Sequence, residues 1–336
     1  MMRALVAGLT LALASTGAAA AMPLVALVAD VEGTEVTDLL TPYAILAESG
    51  AVEVKVVAAD RRPARLMPGV AWVAPQATFA ELRRPDVIIV PALHRSDDPT
   101  LLAWLREQAK AGVRIMSICN GGVVLANAGL LDGRQATLHW WSIDKVRKDY
   151  PKVAWRRDMR WISDGQVTTT AGISASSPAS LSLLRELAGD EAMRATAARL
   201  GLPAPDPRHN GEDFRLTFKG ASRVVLNQAA FWNRQDVGVP LSPGFDELAF
   251  GTVLDGWSRT YRSEAWAAGP ASATSRHGLT IYRHKTPPER FDRMANLPAQ
   301  RPMETLFGQI QAAYGPTTAR FVALQFEHPW GAVTAW

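Results

Sequence analysis

A single cysteine, Cys119, stands in this 336-residue chain. It lies in Ser117-Ile118-Cys119-Asn120-Gly121-Gly122, between an apolar run and a stretch of helical character. Val113 to Ile118 reads as a buried strand bounded by Gly112, and Val123 to Leu131 as a helix. A side chain at such a strand-to-helix turn occupies a nucleophile elbow, and the small residues after it let the helix pass close. The helix end offers free N–H groups and the positive end of a dipole, both favouring thiolate over thiol. The chemistry expected is thiolate attack on an electrophilic carbon, with nearby donors holding the charge that develops. A lone cysteine can also be a small buried hydrophobe, but Gly121 and Gly122 favour the elbow.

The elements around the elbow alternate. Leu24 to Ala29, Val52 to Ala58 and Asp86 to Val90 read as strands; Val36 to Ser49, Leu101 to Ala111 and Pro178 to Leu187 read as helices. The expected fold is α/β, a doubly wound, mostly parallel sheet of flavodoxin-like type, with the site at the strands' carboxyl ends. Gly201 to Asp213 (GLPAPDPRHNGED) reads as a linker or surface loop. The tail from Met303 to Trp330 reads as two helices, and Trp232, Trp257 and Trp266 as core residues.

Composition narrows the function classes. The net charge of +4 comes with no Lys/Arg block, so no nucleic-acid partner is expected. His94, His209, His277, His284 and His328 lack ligand spacing, so neither a metal site nor a cofactor is expected. Met1-Met2-Arg3, the apolar run Ala4 to Ala14 and the small residues Ser15 to Ala21 form a secretory signal pattern. Residues 1–21 are therefore expected to be removed, leaving an exported, periplasmic or extracellular protein without a membrane anchor. With one cysteine it has no internal disulfide, so packing must supply its stability.

Residues Leu24 to Gly189 resemble the ThiJ/PfpI superfamily, which has the class I glutamine-amidotransferase-like fold. Four segments carry the resemblance in the same order: Gly33 to Pro42 (GTEVTDLLTP), Asp86 to Pro91 (DVIIVP), the elbow continuing to Trp140, and Asp164-Gly165 with Val167 to Ser174 (VTTTAGIS). The branch it most resembles holds isocyanide hydratases and the amidotransferase-like domains of AraC-type regulators. The resemblance implies that Cys119 is the nucleophile and that Asp38, four residues before Pro42, is the acidic residue that contacts it. It implies that His139 lies near the cysteine and that the N–H groups of Asn120 and Gly121 form an oxyanion-type pocket. Ala92 stands where the family usually has a glycine, which puts one donor of that pocket in question. Ser176-Ser177-Pro178 replaces an acidic residue common in the turn after the AGIS-like segment. The implied function is a cysteine-dependent hydratase or hydrolase of a small electrophile, in the manner of an isocyanide hydratase. The alternative is a non-catalytic ligand-binding or redox- and stress-sensing protein on the same fold.

Beyond the linker, Val237 to Lys285 reads as a repeat of the opening of the first domain. The division expected is a ThiJ/PfpI-type domain at 22–200, a linker at 201–213, and a degenerate, truncated α/β copy at 214–336. The copy has Ala249 where the first has Asp38, and no second elbow follows. It is expected to carry no chemistry and to act as a pairing surface, within an intramolecular pseudo-dimer or a homodimer.

Overall fold

Strand β1 (Leu24–Val28) is apolar and buried at every position, as a central parallel strand must be. Its side chains alternate between two cores. Val25 and Leu27 belong to one, Ala26 and Val28 to the other. The computed structural model describes residues 21–215 and 234–331. The signal pattern of residues 1–20 and the position of Trp232 lie outside the described residues.

The chain runs on through β2 (Thr34–Glu35), helix α1 (Val36–Glu48), β3 (Glu53–Ala58), β4 (Ala64–Met67), β5 (Ala71–Val73), β6 (Ala77–Thr78) and β7 (Val87–Val90). Next come α2 (Pro99–Lys110), β8 (Arg114–Ser117), α3 (Gly121–Asn127), β9 (Gln135–Ala136), α4 (Trp140–Asp149) and β10 (Ala154–Trp155). β11 (Trp161–Asp164), β12 (Val167–Thr170) and α5 (Ser176–Leu200) follow, α5 being broken at Gly189, where φ is +87°. The main sheet has the order β11-β12-β8-β7-β1-β3-β6. Only the β11–β12 pair in it is antiparallel. Side chains of α1 and α5 join the core on one face, and those of α2, α3 and α4 the core on the other. This is the doubly wound sheet expected from the alternating elements.

The second half is built from β13 (Gln235–Pro240), α6 (Glu247–Ser258), β14 (Ser263–Ala268), the hairpin β15 (Ser272–Thr274) and β16 (Thr280–Tyr282), β17 (Arg293–Met294), α7 (Pro302–Tyr314) and α8 (Pro316–Gln325). β13 runs parallel to β14 and β17, as β1 does to β3 and β7. The halves join through a sheet of order β15-β16-β5-β4-β2, in which Ile281 pairs with Val73 and Tyr282 with Trp72. They also join through helix packing. A Cβ on Gly251 of α6 would stand 3.0 Å from Leu40 Cβ of α1, so the glycine sets how closely the helices approach. Val253, Trp257, Leu306 and Phe307 share one apolar core with α1 and α5. The segment read as a linker is tied down as well: Arg160 N donates to Pro207 O at 2.8 Å. Trp257 is buried, whereas Trp266 is half-buried and its indole N–H donates to Asp236 at 2.8 Å.

Candidate active site

β8 ends at Ser117, and Ile118 N still donates to Val90 O of β7 at 3.0 Å. The chain then turns sharply at Cys119, whose φ is +53°. A residue with a β-carbon is strained there, a conformation that strand-to-helix elbows use to present a side chain. The helix leaves across the end of β7 because Gly121 has no side chain. A Cβ there would lie 2.1 Å from Val90 O. Cys119 N donates to Thr170 Oγ1 of β12 at 3.3 Å, which fixes the turn against the next strand.

Asp38 sits in the first turn of α1 and is fully buried. The helix begins where it does because Glu35 caps it. The Glu35 Oε2 oxygen accepts from Asp38 N at 2.5 Å, meeting one of the donors a helix start leaves open. Asp38 Oδ2 accepts from Ala92 N at 3.2 Å, while Oδ1 is buried and has no hydrogen-bond partner among the described residues. Burial pushes the Asp38 carboxyl up to about 7, against the pull of the Ala92 N–H and Arg259. It is thus a group that can take or give a proton near neutrality.

Cys119 departs from expectation. Its thiol is 5% exposed. Burial first, then the carboxyls of Asp38 and Glu35, push it well above its ordinary value. The expected thiolate is therefore replaced by a resting thiol. The α3 amides that should favour an anion are engaged locally. Gly121 N donates to Ile118 O at 2.8 Å and Gly122 N to Cys119 O at 3.4 Å. The Asn120 N–H does act on the sulfur, in the direction of the anion.

The other site residues divide. Asn120 stays at the sulfur, and its side-chain Oδ1 is buried without a partner among the described residues. Gly121 belongs to the elbow but has no free N–H. Ala92 holds Asp38 through its N–H, and its own carbonyl accepts from Glu35 N at 2.9 Å. It is a positioning residue for the acid, not an oxyanion donor. His139 is occupied elsewhere. Nδ1 caps α4 by accepting from Trp141 N at 3.2 Å, and Nε2 meets Gln325 O at 2.9 Å. Burial lowers its pKa, so it is a neutral ring with both nitrogens in structural roles.

Three groups at this site escaped the sequence reading. Arg259, at the end of α6, donates from Nη2 to Glu35 Oε1 at 2.8 Å and from Nε to Asp255 Oδ1 at 2.5 Å. Asp255 is fully buried, and its Oδ2 accepts from Thr37 Oγ1 at 2.9 Å. The second half therefore brings an ion pair against the capping residue of α1. Local signals did exist: Glu35 stands three residues before Asp38 as a cap would, and Asp255 and Arg259 have helical i,i+4 spacing. The tail adds another buried carboxylate. Glu327 accepts from Gly172 N at 2.7 Å and lies 2.7 Å from His209 Nε2.

Against known proteins, the profile of the DJ-1/PfpI family matches residues 24–186. Isonitrile hydratase of Pseudomonas putida is 33% identical over 174 residues, half of this chain and 74% of that protein. The HTH-type transcriptional regulator CdhR of Pseudomonas aeruginosa is 34% identical over 177 residues, which span 52% of either chain. Other relatives are also named as HTH-type regulators. Among solved structures, Drosophila melanogaster DJ-1beta is 22% identical with a TM-score of 0.49, covering 54% of this chain and all of that one. With the matched residues carrying both the elbow and the acid-bearing helix, the chain belongs to the DJ-1/PfpI family.

Proposed function

We propose that this protein is a cysteine-dependent hydratase or hydrolase of a small, uncharged electrophilic carbon compound, with isonitriles the first class to try. The observation that carries the reading is a cysteine on a strained elbow within the field of a buried carboxyl whose pKa lies near 7. The isonitrile hydratase relative supports the choice of substrate. The thiol is neutral at rest, so ionised Asp38 takes its proton as sulfur attacks. For an isonitrile, the S–C bond forms at the terminal carbon and Asp38 returns the proton to that carbon, giving a thioimidate. Water then adds to the same carbon, the C–S bond breaks, sulfur regains a proton and an N-substituted formamide leaves. Water is the only co-reactant.

The test is a screen of isonitriles, amides, esters and 2-oxoaldehydes, with products identified by mass. One class should be hydrated or hydrolysed catalytically. If none is consumed while ligands bind stoichiometrically, the second reading holds, a ligand-binding or redox-sensing protein. That reading draws on the engaged amides of Ala92 and Gly121, which leave an oxyanion few backbone donors. Neither reading assigns this chain a DNA partner.

A further inference from the structure

We infer that Arg259, supplied by the second half, is a positioning residue of the cysteine site that holds Glu35 in place and tunes the proton exchange between Asp38 and Cys119. This rests on reading Cys119 and Asp38 as the reacting pair. Arg259 bridges Glu35 Oε1 and Asp255 Oδ1, while Glu35 Oε2 holds the backbone N–H of Asp38. A continuous path of charged and hydrogen-bonded groups thus runs from the end of α6 to the acid on α1. Asp255 is fixed in turn by Thr37 Oγ1 at 2.9 Å, so α1 and α6 grip the pair from both sides.

The charge balance gives the arginine its role. Glu35, Asp38 and Asp255 are 6%, 0% and 0% exposed. Arg259 is the cation bonded to two of them, its guanidinium lying 5.8 Å from the centre of the Phe326 ring. The nearby imidazole, His139, is neutral, and the tail carboxylate Glu327 is paired with His209 at 2.7 Å. Removing one cation from a buried cluster of carboxyls leaves them to bind protons more tightly. The field of Arg259 also reaches the sulfur, where it opposes the effect of the carboxyls.

The experiment compares wild type, Arg259→Lys and Arg259→Met by two pH profiles: Cys119 alkylation by iodoacetamide, and kcat/KM with whichever substrate the screen identifies. Both profiles of Arg259→Met should move upward by on the order of one pH unit, and Arg259→Lys should recover most of the shift. A purely structural role would lower the amount of folded protein without moving either profile. If Arg259→Met does not fold, Arg259→Gln, which drops the charge but keeps amide donors within reach of Glu35 and Asp255, carries the test and should be displaced in the same direction. Profiles that superimpose on wild type in every folded variant overturn the inference. The alkylation profile needs no substrate, so it decides the role of Arg259 even if the proposed activity fails.

Discussion

Cys119→Ser should abolish turnover while leaving the fold in place. Serine is nearly isosteric and can occupy the same left-handed turn, where φ is +53°. The Thr170 hydroxyl accepts from the backbone N–H of residue 119, a bond the substitution leaves intact. The thermal midpoint should stay within a few degrees of wild type, corresponding to less than about 1 kcal/mol. The chemistry does not survive as well. A hydroxyl is a far weaker acid and nucleophile than a thiol, and Asp38, at about 7, is too weak a base to activate it. The expected loss is on the order of a thousandfold or more, down to the background reaction. Steady-state turnover of purified wild type and variant, with circular dichroism to check folding, measures it. Turnover retained within tenfold would place the reaction elsewhere.

Asp38→Asn should lower turnover by about a hundredfold or more and change how stability depends on pH. The amide oxygen can still accept from Ala92 N, so the link to the loop after β7 persists. The proton acceptor is lost. The sign of the stability effect follows from the pKa, which rises from the ordinary 3.8 to about 7 on folding. The folded state holds that proton more tightly than the unfolded chain. Its stabilisation is complete below about pH 4 and is lost as pH rises through about 7. The variant has no such group. Its thermal midpoint should therefore gain on that of wild type between pH 4 and pH 8, under otherwise equal conditions. A variant that falls further behind wild type as pH rises would make Asp38 a structural carboxylate, stabilising when charged.

Much of this site was legible because it is local. Cys119 and its glycines lie within one strand–turn–helix, and the steric demand of that turn is written in adjacent residues. Asp38 was legible through its spacing from Pro42 within a family pattern. What escaped is long-range. Arg259 and Glu35 are 224 positions apart, and no periodicity links them. The state of the thiol escaped for a related reason. A helix start favours an anion only if its amides are free, and those of Gly121 and Gly122 close on the turn itself. His139 has the spacing of a site residue, yet its ring turns to Trp141 N and Gln325 O, one of them on a tail that folds back from the far end of the chain. The doubly wound, mostly parallel architecture followed from apolar, β-branched strands alternating with helices. The joining of β5 to β16 depends instead on two strands of three residues each, whose pairing no local pattern declares.

In the proposed function Cys119 rests as a neutral thiol and is deprotonated only when it reacts, with Asp38 as the acceptor. The rate of Cys119 alkylation by iodoacetamide, followed from pH 5 to pH 10 by intact mass, tests it most directly. A neutral thiol predicts slow alkylation through neutrality and a rate still rising beyond the free-cysteine value of about 8.5, because burial and the Asp38 and Glu35 carboxyls oppose the thiolate. A rate that rises and levels off below pH 7 would mean a preformed thiolate and contradict the account.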